Sequence, residues 1–129
     1  MADHPRAYLE HVAVHVRDIG WHIAFFRSVL GLGIRDIDGE AEAPRQVWLT
    51  GGLQLIATPD FTGPEGRFAH LGVMCEDVAA ATEAGLAYPG VTHHEKGRNW
   101  LVLPDGLIVE LLNAAPGSVA AALAVAPRG

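Results

Sequence analysis

The chain has 129 residues, 50% of them apolar, and its 9 basic and 15 acidic residues give a formal net charge of -6. This length and apolar content suit one domain with its own core, and the acidic balance argues against nucleic-acid binding. No apolar run reaches the roughly 20 residues that cross a membrane. The single cysteine, Cys75, argues against a secreted disulfide scaffold, and residues 1–6 lack a signal-peptide pattern, so we expect a cytoplasmic protein.

The first half of the chain predicts four strands. Residues 8–16 alternate and are rich in valine, which favours a strand with His11, Ala13 and His15 on one face. Further strands are predicted at about 33–38, 46–50 and 53–58, and the Gly51-Gly52 pair joins the last two as a hairpin.

A helix is predicted between the first two of these strands. Asp18 lies where an N-cap is expected, and Gly31 ends the segment. The amphipathic pattern rests on residues that recur at helical spacing, namely Trp21, Ala24, Phe25, Ser28 and Val29.

The second half predicts the same sequence of elements. A strand is expected at about 68–75, a helix from about 77 to 86, and strands near 91–95, 99–103 and 107–113. Residues 59–66 contain two Pro and two Gly and are interpreted as a linker. We therefore expect one domain of two repeats, about 8–58 and 67–113, followed by an Ala-rich tail, 114–129, that includes a short helix.

The two halves also resemble each other residue by residue. Residues 10–19 align with residues 69–78 at a constant offset, which places His11 over His70. Later in each half, Trp48 corresponds to Trp100, and a closing strand carries Gln54 or Glu110. A turn also follows each tryptophan strand, at residues 51–52 in one half and 104–106 in the other. These four matches in the same order indicate a duplicated βαβββ module and an α+β fold.

Four polar residues take equivalent places in strands that otherwise supply apolar side chains. His11 and His70 begin the first strand of each half, and Gln54 and Glu110 lie on the last. If the two modules pack about a pseudo-twofold axis, these side chains converge. Two imidazoles, an amide oxygen and a carboxylate form a suitable ligand set for a divalent ion, which can act as a Lewis acid.

Two segments resemble a known superfamily. Residues 9–14 with 23–32 are similar to the opening strand and helix of the vicinal oxygen chelate superfamily, and residues 104–111 resemble its closing signature. This superfamily includes glyoxalase I, methylmalonyl-CoA epimerase, bleomycin resistance proteins and extradiol dioxygenases. The resemblance implies two βαβββ modules in a cupped mixed sheet around a divalent metal, commonly near a dimer interface. A His-Gln-His-Glu set is like that of the epimerases.

The resemblance and the ligand set favour a metal-dependent isomerase or lyase of the glyoxalase/epimerase type. It would transfer a proton on a small substrate that chelates the metal through vicinal oxygens. Glu110 is the candidate for moving that proton, as its counterpart does in relatives. Asp36 lies near the position where epimerases carry a second acid/base. Gln54 has no useful basicity.

Other reactions remain open. An extradiol-type Fe(II) dioxygenase needs two His and one carboxylate, which His11, His70 and Glu110 supply. A non-catalytic protein that binds a small ligand or an antibiotic is the third alternative. The metal could be Ni, Co, Mn, Zn or Fe(II), and a homodimer is expected because the small modules leave apolar edges. Candidate substrate-binding residues are His15, His94 and Arg98, of which His94 would favour an oxygenase.

Overall fold

The computed structural model describes residues 6–63, 65–104 and 106–126. The chain forms two compact units, one of residues 11–70 and the other of residues 6–10 and 71–126. None of the helices in the described ranges is long and apolar enough to cross a membrane. The elements in chain order are β1 (Ala7–Val16), α1 (Ile19–Leu30), β2 (Ile34–Glu40), β3 (Ala43–Leu49), β4 (Leu53–Ala57), β5 (Phe68–Cys75), α2 (Val78–Ala87), β6 (Thr92–His94), β7 (Gly97–Val102), β8 (Ile108–Asn113) and α3 (Ser118–Leu123).

The first unit is a βαβββ module with strand order β2-β3-β4-β1. Strands β2, β3 and β4 are antiparallel neighbours, whereas β4 runs parallel to β1. In this register, Gln54 lies opposite Ala13 on one side and opposite Trp48 on the other. Paired residues point to the same face of a sheet, so these three side chains share a face.

The second unit repeats this arrangement with strand order β6-β7-β8-β5. Strand β8 is parallel to β5 and antiparallel to β7. Glu110 lies opposite Gly72 on β5 and opposite Trp100 on β7. The predicted α+β fold of two βαβββ modules is therefore confirmed, and the duplication extends to the strand register.

Helix α1 begins and ends where the sequence predicts. The Asp18 carboxylate accepts a hydrogen bond from the Trp21 backbone N–H at 3.0 Å, and Gly31 ends the helix with φ of 72°. This left-handed conformation is one that glycine adopts without steric cost.

The orientation of α1 corrects the expected amphipathic pattern. Ile19, Ile23 and Phe26 contact the core, whereas Trp21 is 59% exposed and stacks on Phe25 along the outer side. Both sides of α1 carry large apolar residues, so periodicity alone does not select the side that meets the sheet.

Each unit has its own apolar core between its helix and its sheet. In the first unit the buried residues are Val16, Val47, Leu49 and Leu55. In the second unit Cys75, Leu101 and Leu111 are buried, with Val78 and Leu86 of α2 packed against them. Cys75 therefore faces the core between helix and sheet.

Candidate metal centre

The four-stranded sheet of the first unit carries polar side chains on the face that points away from α1. Because Val14 and Leu55 face α1, the alternation of side chains along a strand places His11 and Gln54 on the other face. The ladder extends this face to Gln46 on β3 and Asp38 on β2, which are paired with each other. Unlike the α1 side, this face therefore presents imidazole, amide and carboxylate groups.

The first structural element of the candidate centre is a pair of buried histidines. His11 and His70 are 4% and 7% exposed, and both belong to the first unit. Their Nε2 atoms are 3.3 Å apart, and the rings are nearly perpendicular, with 85° between their planes and 5.4 Å between their centroids. The duplication thus brings the two equivalent histidines into direct contact through the nitrogen atoms that can bind a metal.

The separation of these nitrogens fits two ligands of one metal ion. Two imidazole nitrogens that are each about 2.0–2.1 Å from zinc at the tetrahedral angle lie about 3.3–3.4 Å apart. The observed 3.3 Å between the Nε2 atoms of His11 and His70 is the separation expected of two such ligands.

Gln54 is the second structural element of the candidate centre. Its side chain is 4% exposed, and its Nε2 atom donates a hydrogen bond of 2.6 Å to Oε1 of Gln46. Within the described residues, Oε1 of Gln54 is buried without a hydrogen-bond partner. An unpartnered buried oxygen costs about 1–3 kcal/mol of stability, so Oε1 of Gln54 is a candidate to bind an ion or another ligand.

Two further residues, Asp38 and Arg45, hold Gln46 in place and were not predicted from the sequence. Nε2 of Gln46 donates to Asp38 Oδ2 at 3.0 Å, and the other carboxylate oxygen, Oδ1, accepts from Arg45 at 2.6 Å. The hydrogen bond from Arg45, followed by that from Gln46, holds the pKa of Asp38 below its ordinary value. The sequence signal for these residues is the alternation of polar side chains in β2 and β3. Such alternation usually marks a face exposed to solvent, so it does not predict a functional site.

In the second unit, Glu110 takes the place that Gln54 has in the first. It is half-buried on β8, beside Gly72 in the register, just as Gln54 is beside Ala13. Because neighbouring Leu111 is buried under α2, alternation places the Glu110 side chain on the face away from that helix. The duplication therefore gives the two modules one amide and one carboxylate at equivalent positions.

The remaining predicted site residues have varied surroundings. Asp36 is exposed on β2, and its Oδ1 accepts from the Ile37 backbone N–H. His15 is half-buried on β1, and its Nδ1 lies 2.7 Å from the hydroxyl of Thr58. Asp36 and His15 thus both lie in the module that carries His11 and Gln54.

His94 and Arg98 lie in the second unit. His94 is half-buried on β6, and its Nδ1 accepts from the Lys96 backbone N–H at 3.2 Å. Arg98 reaches α2, where it forms an ion pair of 2.5 Å with Glu83. This contact directs Arg98 to the helix side of the sheet, so the structure does not bring it to Glu110.

Neither a protein-family model nor a curated protein matches the sequence. Solved structures do match. A 2,3-dioxygenase from Pseudomonas sp. KL28 has a TM-score of 0.61 at 19% identity, over 83% of this chain and 42% of the dioxygenase. Methylmalonyl-CoA epimerase from Streptomyces coelicolor has a TM-score of 0.55 at 17% identity, over 84% of this chain and 95% of the epimerase.

A third structure is the 2,2',3-trihydroxybiphenyl 1,2-dioxygenase from Sphingomonas wittichii strain RW1, with a TM-score of 0.57 at 27% identity. The match covers 82% of this chain and 42% of that protein, so the chain spans less than half the length of both dioxygenases. The chain therefore has the fold of the vicinal oxygen chelate superfamily, as the sequence resemblance predicted, and it shares this fold with extradiol dioxygenases and methylmalonyl-CoA epimerase.

Proposed function

We propose that the protein is a metal-dependent isomerase or lyase that transfers a proton on a small substrate with vicinal oxygens. The proposed metal ligands are His11, Gln54, His70 and Glu110. The observation that carries this proposal is the buried Oε1 of Gln54, which has no hydrogen-bond partner among the described residues. A neutral oxygen donor on the sheet face that also carries His11 suits a divalent first-row ion that has imidazole ligands.

The His11 and His70 geometry supports the first two ligands, and the strand register supports Glu110. Glu110 lies opposite Gly72 on β5, on the face of the second unit's sheet that points away from α2. In the first module, Gln54 lies opposite Ala13, which follows His11 by two residues on β1. The repeat therefore supplies one histidine and one oxygen donor from each half.

Each side chain then has a defined chemical role. When bound, a divalent ion supplies Lewis-acid polarisation of a substrate carbonyl oxygen. His11 and His70 would bind the ion through imidazole rings that burial keeps in place. Gln54 would bind it through a neutral oxygen that is not basic. Glu110 accepts the substrate proton at a carboxylate oxygen. Asp36, on the polar face of the first module, is proposed as the second acid/base.

An extradiol-type Fe(II) dioxygenase is the second candidate. One of the two dioxygenases that share the fold is 27% identical to this chain, whereas the Streptomyces epimerase is 17% identical. Two observations favour the isomerase or lyase. The chain matches 95% of the epimerase but 42% of either dioxygenase, and a three-ligand site of two His and one Glu gives Gln54 no role.

Elemental analysis of protein purified without chelator tests the proposal. About one equivalent of Ni, Co, Mn or Zn is expected in the native chain and is lost in His11→Ala and Glu110→Ala. His93→Ala is the matched control, because His93 is an exposed histidine outside the proposed ligand set, and this variant should keep the metal. Protein with Ni, Co, Mn or Zn should then be screened with 2-oxo thioesters and hemithioacetals, following formation of the isomerised product.

The other outcomes point to the other candidates. Bound iron, together with oxygen uptake on catechols, would establish the dioxygenase instead. No metal after reconstitution with any of these ions would refute both enzymes. In that case the chain would be a ligand-binding member of the fold, tested next by binding of small antibiotics.

A further inference from the structure

We propose that Gln46 is a positioning residue that makes the oxygen of the Gln54 amide, rather than its nitrogen, available as a metal ligand, and that Asp38 sets the orientation of Gln46. This inference rests on the proposed metal site. It concerns three side chains on consecutive strands of one module, Gln54 on β4, Gln46 on β3 and Asp38 on β2.

A glutamine side chain has two nearly isosteric ends with opposite chemistry. Its oxygen accepts hydrogen bonds and can bind a cation, whereas its NH₂ group only donates. A site that needs the oxygen must therefore exclude the flipped amide, which differs by a rotation about one bond. The pocket around a lone buried glutamine cannot do this by shape, so it requires a partner with a fixed polarity.

Asp38 provides that fixed polarity. An ionised carboxylate only accepts hydrogen bonds, so the Gln46 group that lies 3.0 Å from Asp38 Oδ2 must be its NH₂. The oxygen of Gln46 then points the other way and accepts the 2.6 Å hydrogen bond from Nε2 of Gln54. The remaining atom of Gln54, Oε1, is left buried and directed away from this chain of hydrogen bonds.

The flipped arrangement of the two amides creates one unfavourable contact and removes the ligand oxygen. If both amides rotated, the oxygen of Gln46 would face Asp38 Oδ2 acceptor to acceptor, and the nitrogen of Gln54 would take the position of its oxygen. An amide nitrogen has no available lone pair for a metal ion. Arg45 favours this orientation of Asp38, because the guanidinium donates a 2.6 Å hydrogen bond to the second carboxylate oxygen. The four residues therefore form a relay of donors and acceptors with one allowed direction.

The strand register makes the relay possible. Asp38 and Gln46 are direct partners across β2 and β3, while Gln46 is the direct partner of Ile56, two residues along β4 from Gln54. A diagonal pair of this kind lies within reach of long side chains on the same face. Groups that orient metal ligands by hydrogen bonds typically change metal affinity by about 10–100-fold when they are removed.

The test is Zn²⁺ binding to the full chain by competition with a chromophoric chelator. Asp38→Asn and Gln46→Leu are each expected to weaken binding about 10–100-fold. In Asp38→Asn, residue 38 can donate or accept, so Gln46 can flip and donate to Oε1 of Gln54. The double variant Asp38→Asn/Gln46→Glu is expected to bind within about threefold of the native chain, because the carboxylate at 46 accepts from both neighbours and restores a single direction.

A second readout reports on the amide without metal. In the NMR spectrum of the metal-free native chain, the Gln54 NH₂ signals should show a hydrogen-bonded shift that persists after Zn²⁺ is added, while the carbonyl carbon shifts. In Asp38→Asn the NH₂ signals should already differ before metal is added. Glu40→Gln is the matched control on β2, since it removes an exposed carboxylate outside the relay and should change neither readout.

The possible failures are distinguishable. If the native chain binds neither Zn²⁺ nor any other divalent ion, the proposed function fails, although the NMR comparison can still confirm the relay. If the native chain binds Zn²⁺ and Asp38→Asn and Gln46→Leu bind it equally well, Gln46 is not a positioning residue. The proposal is also overturned if the double variant binds no better than Asp38→Asn alone.

Discussion

Replacement of Gln54 by methionine should stabilise the metal-free protein. Methionine has a similar volume and length but needs no hydrogen bond, so Gln54→Met removes a buried oxygen without a described partner. That oxygen costs about 1–3 kcal/mol of stability, and the lost hydrogen bond to Gln46 contributed about 0.5–1.5 kcal/mol. Gln46 is only half-buried, so water can replace its lost partner. The net expectation is a gain of about 1 kcal/mol.

Urea unfolding in the presence of EDTA measures this difference, with the slope of the transition compared between variants. For a chain of this size, about 1 kcal/mol corresponds to a rise in Tm of roughly 3–5 °C. Gln46→Met is the matched control. It removes the same hydrogen bond but leaves both polar ends of Gln54 buried, so it should destabilise the protein by about 1–3 kcal/mol.

The same Gln54→Met variant should lose most of its affinity for Zn²⁺, because zinc in proteins is bound by thiolate, imidazole and oxygen ligands, and the substitution removes the oxygen. Gain of stability with loss of binding is the signature of a residue retained for function. Destabilisation of Gln54→Met by more than about 1 kcal/mol would refute the reasoning, since it would mean that the Gln54 amide contributes more to folding than it costs.

Three further predictions concern other parts of the molecule. His70→Ala should lose bound metal while keeping the native circular dichroism spectrum, and full metal retention would contradict the ligand assignment. Burial raises the pKa of the Cys75 thiol, so the unfolded chain ionises first and stability should fall as the pH rises above the ordinary thiol pKa. Cys75→Ala should flatten that dependence in urea titrations, and native Cys75 should react slowly with thiol reagents near about pH 8. The homodimer prediction is checked by light scattering, where the mass of one chain across a wide concentration range would exclude it.

The elements of the fold were predictable because their signals are local. Asp18 lies at the predicted N-cap, and Asp77 caps the second helix in the same way; each side chain accepts a backbone hydrogen bond from the first turn. The repeat supplied an independent check, since each element predicted in one half had a counterpart in the other. The side of α1 that faces the sheet was not predictable in this way, because its apolar residues surround the helix.

The candidate site was only partly predictable for a different reason. His11, His70, Gln54 and Glu110 stand out in sequence because they interrupt apolar strands at equivalent positions. The orienting residues Asp38 and Gln46 belong to exposed alternating strands, and their pairing depends on register. The pairing of β2 with β3 shifts register on both sides of residues 36–38. The partner of Asp38 therefore cannot be found by counting residues outward from the turn between the two strands.

The hydrogen-bond relay of Arg45, Asp38, Gln46 and Gln54 also bears on how this centre can evolve. Glutamine and glutamate codons differ by one base, so Gln54→Glu is an easily reached mutation. In this module, however, the new carboxylate would face the Gln46 oxygen. A flip of Gln46 would only move the conflict to Asp38. An anionic ligand at position 54 therefore requires a compensating change on a neighbouring strand. A single mutation at position 54 is disfavoured, so this chain should retain the neutral amide ligand.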